Sequence, residues 1–313
     1  MIQIVNCSVA LLVLLLAIFT TVTRKVFAAS FGFIAYGLLL TLVWVQLGAP
    51  DVALTEAAIG GGLTGVLLVG SASRLRQSEA DGGVERPGLP ARWIAAVAAA
   101  IVAAALALCV LAWTEPAPGL APQTAASMGA TGVGNPITAV LLAFRALDTL
   151  LEAIVLLFAI VGVWSLAPDR AWGGRPGRAY RSDPEGLLAY AARVLAPIGI
   201  VVGIYIFWVG ADHPGGKFQG ATILAAMWLL LWRAGLTDAP PINRRWLRLT
   251  LVGGPIVFVV IGFLGAATAG AFLAYPDGYA KPLILAIEWA LLPSLALTLF
   301  LLVVGAPQRL ATG

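Results

Sequence analysis

Arg145, Asp148 and Glu152 are the only charged side chains in the apolar run from Ile137 to Leu166. At about 100° per residue the three fall within roughly 60° of one another and span about 10 Å of helix. A base and two acids on one face of a membrane-length helix suit proton transfer or cation passage. Carboxylates that close repel in a low dielectric unless they share a proton, hold a cation or meet a counter-charge. Ionisable groups in hydrocarbon cost several kcal/mol each unless paired or hydrated, so they face a bundle interior or an ion path. Arg145 lies near one end of the run, where it either snorkels to the interface or pairs with Asp148. Glu152 lies deeper, where interfacial solvation is least available, and is read as a functional carboxylate.

Two further segments carry acids into apolar sequence. In Gly48–Gly62, Pro50 suits a first helical turn and Asp51 lies where the helix dipole favours a carboxylate, so Asp51 is either a helix-start residue or an ion-path group. Glu56, about 7 Å further along the rise, has no capping role and belongs to an ion path or a buried network. Gly60, Gly61 and Gly62 each cost about 1 kcal/mol of helix propensity, and close helix packing or local unwinding is needed to explain them. Glu288 is followed by Pro293, whose missing N–H frees the Trp289 carbonyl; the pair lines a hydrated cavity or marks a kinked packing site.

The elements that position these groups are membrane helices. Sixty per cent of the residues are apolar and 11% are charged, and the charges cluster in short segments; no soluble core buries so much apolar surface. Runs able to cross about 30 Å of hydrocarbon fall at Ile2–Val22, Phe27–Gln46, Ala49–Ser71, Trp93–Trp113, Ile137–Leu166, Tyr190–Val209, Gln219–Gly235, Leu247–Phe272 and Pro282–Val304. The expected fold is an all-α polytopic membrane protein of about nine spans. Arg24 and Lys25 follow the first run instead of preceding it, which reads as a retained span and not a cleaved leader. Alternate loops hold Arg24 and Lys25, then Arg74, Arg76, Arg86 and Arg92, then Arg170, Arg175, Arg178 and Arg181, then Arg233, Arg244, Arg245 and Arg248; Arg309 follows the last span. The opposite loops hold only Lys217 and Lys281. By the positive-inside rule the N-terminus is outside and the C-terminus cytoplasmic.

The net charge of +4 is thereby a topology signal, and nothing supports a nucleic-acid partner. Cys7 and Cys109 lie in apolar runs without metal spacing. His213 is the single histidine, in a loop, and no nucleophile–base set or phosphate-cradling loop is visible. The chain reads as non-enzymatic, with no cofactor. Linkers at Arg74–Arg92 and Pro168–Gly186 divide it into units of three, two and four helices, at 1–75, 93–170 and 187–313.

Three motifs resemble one family. Gly48-Ala49-Pro50-Asp51-Val52-Ala53-Leu54-Thr55-Glu56-Ala57 resembles the C-terminal part of the A subunit of Mrp-type (multiple resistance and pH) sodium/proton antiporters and small subunits of membrane-bound hydrogenases. Phe144-Arg145-Ala146-Leu147-Asp148-Thr149-Leu150-Leu151-Glu152 is similar to the next unit of the same complexes. His213-Pro214-Gly215-Gly216-Lys217-Phe218-Gln219-Gly220 resembles the signature turn of the B subunit, with Lys217 where a glycine is usual. The resemblance implies an A-subunit tail fused to a B-type subunit of a sodium/proton antiporter complex in a prokaryotic plasma membrane. Its implied partners are other membrane subunits, including a large proton-pumping-like one. It also implies that Asp51, Glu56, Asp148 and Glu152 belong to the Na+ or H+ route, with Arg145 as counter-charge; Glu288 is an ion-path candidate from its own context beside Pro293, and transient sodium is expected at Glu56, Asp148 and Glu152. Two alternatives stay open: a coupling subunit of a redox-driven hydrogenase-type complex, and a structural scaffold.

Overall fold

The computed structural model describes residues 2–81, 88–113, 119–179 and 185–310; Arg86, Glu115 and Arg181 lie outside them. In lipid every backbone polar group needs an internal partner, so apolar runs of this length fold as helices. They are α1 (Ile2–Val22), α2 (Val26–Gln46), α3 (Pro50–Thr55), α4 (Thr64–Asp81), α5 (Leu89–Ala112), α6 (Ala121–Thr131), α7 (Pro136–Ala139), α8 (Ala146–Ser165), α9 (Leu187–Val209), α10 (Lys217–Arg233), α11 (Arg245–Thr268) and α12 (Ala280–Val304). Among the described residues eight helices, or nine if one bent pair counts as a span, are long and apolar enough to cross a membrane. With 17 residues, α10 is about 25 Å long, the shortest of the nine spans expected.

Three expectations change in detail. First, α3 and α4 are joined by a π-helical segment, Glu56–Leu63, that contains the three glycines. Both explanations offered for them hold: the helix widens locally, and it also packs closely, since a Cβ on Gly37 of α2 would lie 3.1 Å from the Gly61 amide nitrogen. Second, the connection between the fourth and fifth expected runs contains a helix, α6, which meets the Pro136–Phe144 helix at 89°. Third, the single helix expected over Ile137–Leu166 is broken. Val140–Phe144 is π-helical and Arg145 leaves helical geometry at φ −131°, ψ 39°. The Arg145 N–H donates to the Val140 carbonyl at 2.8 Å, and the Thr149 hydroxyl donates to the Leu141 carbonyl at 2.6 Å. A side chain thus satisfies a backbone acceptor that the break would leave bare.

The central element is α12, which packs on α8, α10 and α11 and is buried along most of its length. Its Ser294 hydroxyl donates to the Leu251 carbonyl of α11 at 2.7 Å, next to Pro293. By contrast no residue of α5 is buried. On the arginine-rich side, β1 (Arg175–Pro176) pairs antiparallel with β2 (Pro307–Arg309). Arg309 clamps Asp238 there with hydrogen bonds of 2.6 and 2.9 Å, and Arg175 adds a third contact at 3.4 Å. The Arg309 hydrogen bonds hold the Asp238 carboxyl below the usual carboxylate range.

On the opposite side, α9 turns into α10 through glycines. Gly215 has φ +151°, and a Cβ there would run into the Ile206 carbonyl oxygen. Gly215→Ala therefore forces backbone apart and is expected to cost at least about 2 kcal/mol. Gly253→Ala, inside α11 with nothing within 4 Å, is expected to be neutral or stabilising by about 0.5–1 kcal/mol. Thermal unfolding of both variants in detergent checks the contrast, and equal melting temperatures would refute it.

Candidate functional site

Lys217 is the first residue of α10, carried inward by the Gly215-Gly216 turn, and its side chain is 4% exposed. Its Nζ stands 3.8 Å from Oε1 of Glu288 on α12, whose side chain is 2% exposed. Glu152 of α8 lies farther off but within electrostatic range of the same ammonium. The Phe218 ring flanks Nζ at 5.6 Å. Tyr275, in the connection from α11 to α12, faces Glu288 and donates its hydroxyl to the Leu142 carbonyl at 2.5 Å. Three helices that are distant in sequence thus deliver one base and two acids to one place in the bundle.

Arg145 stands apart from this cluster. Arg145 pairs with Asp148 at 2.5 Å, and these side chains are 70% and 51% exposed. The deeper acids face Lys217 instead. Glu152 itself lies on the same uncovered face of α8 as Asp148.

Asp51 is buried and acts across the chain. Its Oδ1 accepts from the Asn135 side-chain amide and from the Gly215 N–H, both at 3.1 Å. The same Asn135 amide donates to the His213 carbonyl at 2.9 Å, and Gln219 donates to Thr55 at 3.0 Å. A cleft of about 380 Å³ opens there, lined in part by Asp51, Asn135, Asp212 and His213. Asp212 holds Lys281 through bonds of 2.8 and 2.9 Å, which keep its carboxyl below the usual range. Glu56 is half-buried at the start of the π-helical segment, with its carboxylate folded over Gly60 so closely that a Cβ there would collide with Oε1. The glycines make the space this carboxylate occupies. Glu56 takes part in none of the ion pairs found among the described residues.

Sequence reasoning misses the burial of Lys217. One signal is present: Lys217 directly precedes an apolar run, on the side whose loops hold one other base, Lys281. Asn135 and Gln219 are missed as well, because their partners are 84 and 164 residues away.

Fold and site together define a polytopic α-helical membrane protein with a paired, ionisable interior. Residues 11–77 match the MbhD family, a component of MBH, and residues 187–307 match the domain related to the MnhB subunit of Na+/H+ antiporter. A putative antiporter subunit mnhA2 of Staphylococcus aureus is 29% identical over 133 residues, 42% of this chain and 16% of the relative. The chain accordingly spans about a sixth of the length of the curated relatives it matches. The Mrp complex of Dietzia sp. DQ12-45-1b contains a chain of the same fold, with TM-score 0.72 and 24% identity over 96% of this chain and 35% of that one. The archaeal membrane-bound sulfane sulfur reductase contains another, with TM-score 0.53 and 23% identity over 68% of this chain and 99% of that one. An MbhD match and an MnhB-related match thus lie in one chain, an arrangement similar to an Mrp-type A-subunit tail followed by a B-type domain.

Proposed function

We propose that the chain is a membrane subunit of a multisubunit sodium/proton antiporter complex and that its ionisable interior forms part of the ion passage. The convergence of Glu152, Lys217 and Glu288 carries this reading. Such groups in a membrane bundle are costly unless they serve a path or a paired network. Asp51, Glu56 and Asp148 extend the passage, Arg145 balances Asp148, and sodium resides transiently at Glu56, Asp148 and Glu152. Units 1–75, 93–170 and 187–313 each contribute, the N-terminus faces outward, and the activity is transport and not catalysis.

The need for a partner follows from exposure. Arg145, Asp148 and Glu152 lie on a face this chain leaves open, where contact with lipid would cost several kcal/mol for each. Another subunit covers that face in the assembled complex. The chain corresponds to 35% of the Dietzia chain, and the large proton-pumping-like portion is the partner expected. The match of residues 11–77 to the MbhD family favours a second reading, a coupling subunit of a redox-driven complex; neighbouring genes for hydrogenase or iron–sulfur subunits decide between them.

Glu152→Gln tests the passage. In the purified complex reconstituted in liposomes, the variant is expected to assemble and to lose roughly tenfold or more of its sodium-linked proton flux, on the scale of losing one proton-transfer group. Normal assembly with unchanged flux would leave the residue a scaffold role only.

A further inference from the structure

We infer that Lys217 is a resident cation that makes the Glu152–Glu288 pair a proton station closed to alkali cations. This rests on the passage reading above and departs from it at one residue, because it assigns the proton in place of sodium to Glu152 and leaves sodium to Glu56 and Asp148. With all three groups ionised the cluster carries two negative charges and one positive. The ammonium, 3.8 Å from Glu288 and within electrostatic range of Glu152, already supplies the positive charge that a monovalent cation would bring. A second cation there would meet a like charge at short range in a low dielectric.

Several features suit Lys217 to handing on a proton instead of acting as a fixed structural tie. At 3.8 Å the contact with Glu288 is electrostatic and too long for a hydrogen bond. The four-carbon stem has rotatable bonds, and an ammonium carries three donors that can turn between partners. Lys217 also stands at the N-terminus of α10, where the positive end of the helix opposes an ammonium, while Glu288 supports it. In the step proposed, one proton passes from the Lys217 ammonium to the Glu152 carboxylate, leaving a neutral amine and a carboxylic acid. Glu152 then releases that proton towards the uncovered face of α8, and Lys217 takes the next. Charge and atoms balance without a co-reactant. Glu288, buried behind Lys217 with Tyr275 facing it, is the fixed negative partner.

The experiment uses the reconstituted complex, with proton flux followed by an internal pH dye and sodium by radiotracer. Lys217→Arg keeps the positive charge but holds its proton permanently. It is expected to assemble and lose roughly tenfold or more of the proton flux; unchanged flux would overturn the proposal. Lys217→Gly is expected to lose flux similarly and to recover with added ethylammonium but not with sodium or potassium. Recovery with sodium would show that the site accepts an alkali cation and would also overturn it. Should Lys217→Gly fail to assemble, Lys217→Met with Glu288→Leu keeps the cluster's charge at one negative, and wild-type flux there would again refute the role of the amine. A wild-type complex without cation-linked proton flux would remove the antiporter reading itself, which is a different result from normal exchange that ignores position 217.

Discussion

Glu288→Leu is expected to destabilise the protein by about 3–5 kcal/mol, because it leaves the Lys217 ammonium buried without its nearest carboxylate. The side chains of Lys217 and Glu288 are 4% and 2% exposed, so neither reaches water in the folded chain. Glu152 remains within range of Lys217, which places the loss towards the lower end of that span. Lys217→Met alone strands Glu288 in the same way, although a carboxyl that takes up a proton becomes neutral and softens the penalty. The double variant Lys217→Met with Glu288→Leu is expected to regain most of the stability, since a well-packed apolar pair replaces a buried ion pair at little or no cost. Unfolding of the four proteins in detergent gives the coupling energy directly. Additive losses, with no recovery in the double variant, would show that the two residues do not act as a pair.

The membrane fold is legible because span length and hydropathy are properties of the sequence alone. Eight of the nine expected runs coincide with helices that pass on length and composition, and α10 is the shortest by sequence and by structure alike. Pairing is much less legible. Arg145, Asp148 and Glu152 stand out as a stripe, and the Arg145–Asp148 contact is local enough, at three residues' separation, to be read from spacing. The break at Arg145 is not, because nothing in Val140–Phe144 disfavours an ordinary helix; the Thr149 hydroxyl, beyond the break, donates to the carbonyl left bare. Lys217 escapes for a related reason. A lysine after two glycines reads as a loop residue, and only the packing of α10 against α12 turns it inward. The glycines at 60–62 give a correct warning of irregular geometry, while the use of that space by the Glu56 carboxylate depends on α2.

Asp51→Leu is expected to cost about 2–5 kcal/mol and to loosen the junction between the first helices and the B-type domain. Two donors lose their acceptor together, the Asn135 amide and the Gly215 N–H, both at 3.1 Å, and each buried group left unsatisfied costs about 1–3 kcal/mol. The partners lie 84 and 164 residues along the chain, so the carboxylate latches the Pro50, Asn135 and Gly215 segments to one another. This geometry adds a third role for Asp51 beside helix start and ion path, and one substitution separates latch from path. Asp51→Asn keeps an oxygen that can accept both bonds, since both end on Oδ1, and removes the charge. As a latch it is expected to lose much less stability than Asp51→Leu, while the complex that assembles retains its ion flux. As an obligatory station of the passage it would instead lose flux at nearly unchanged melting temperature. Melting curves and liposome flux measured on the same preparation distinguish the two outcomes.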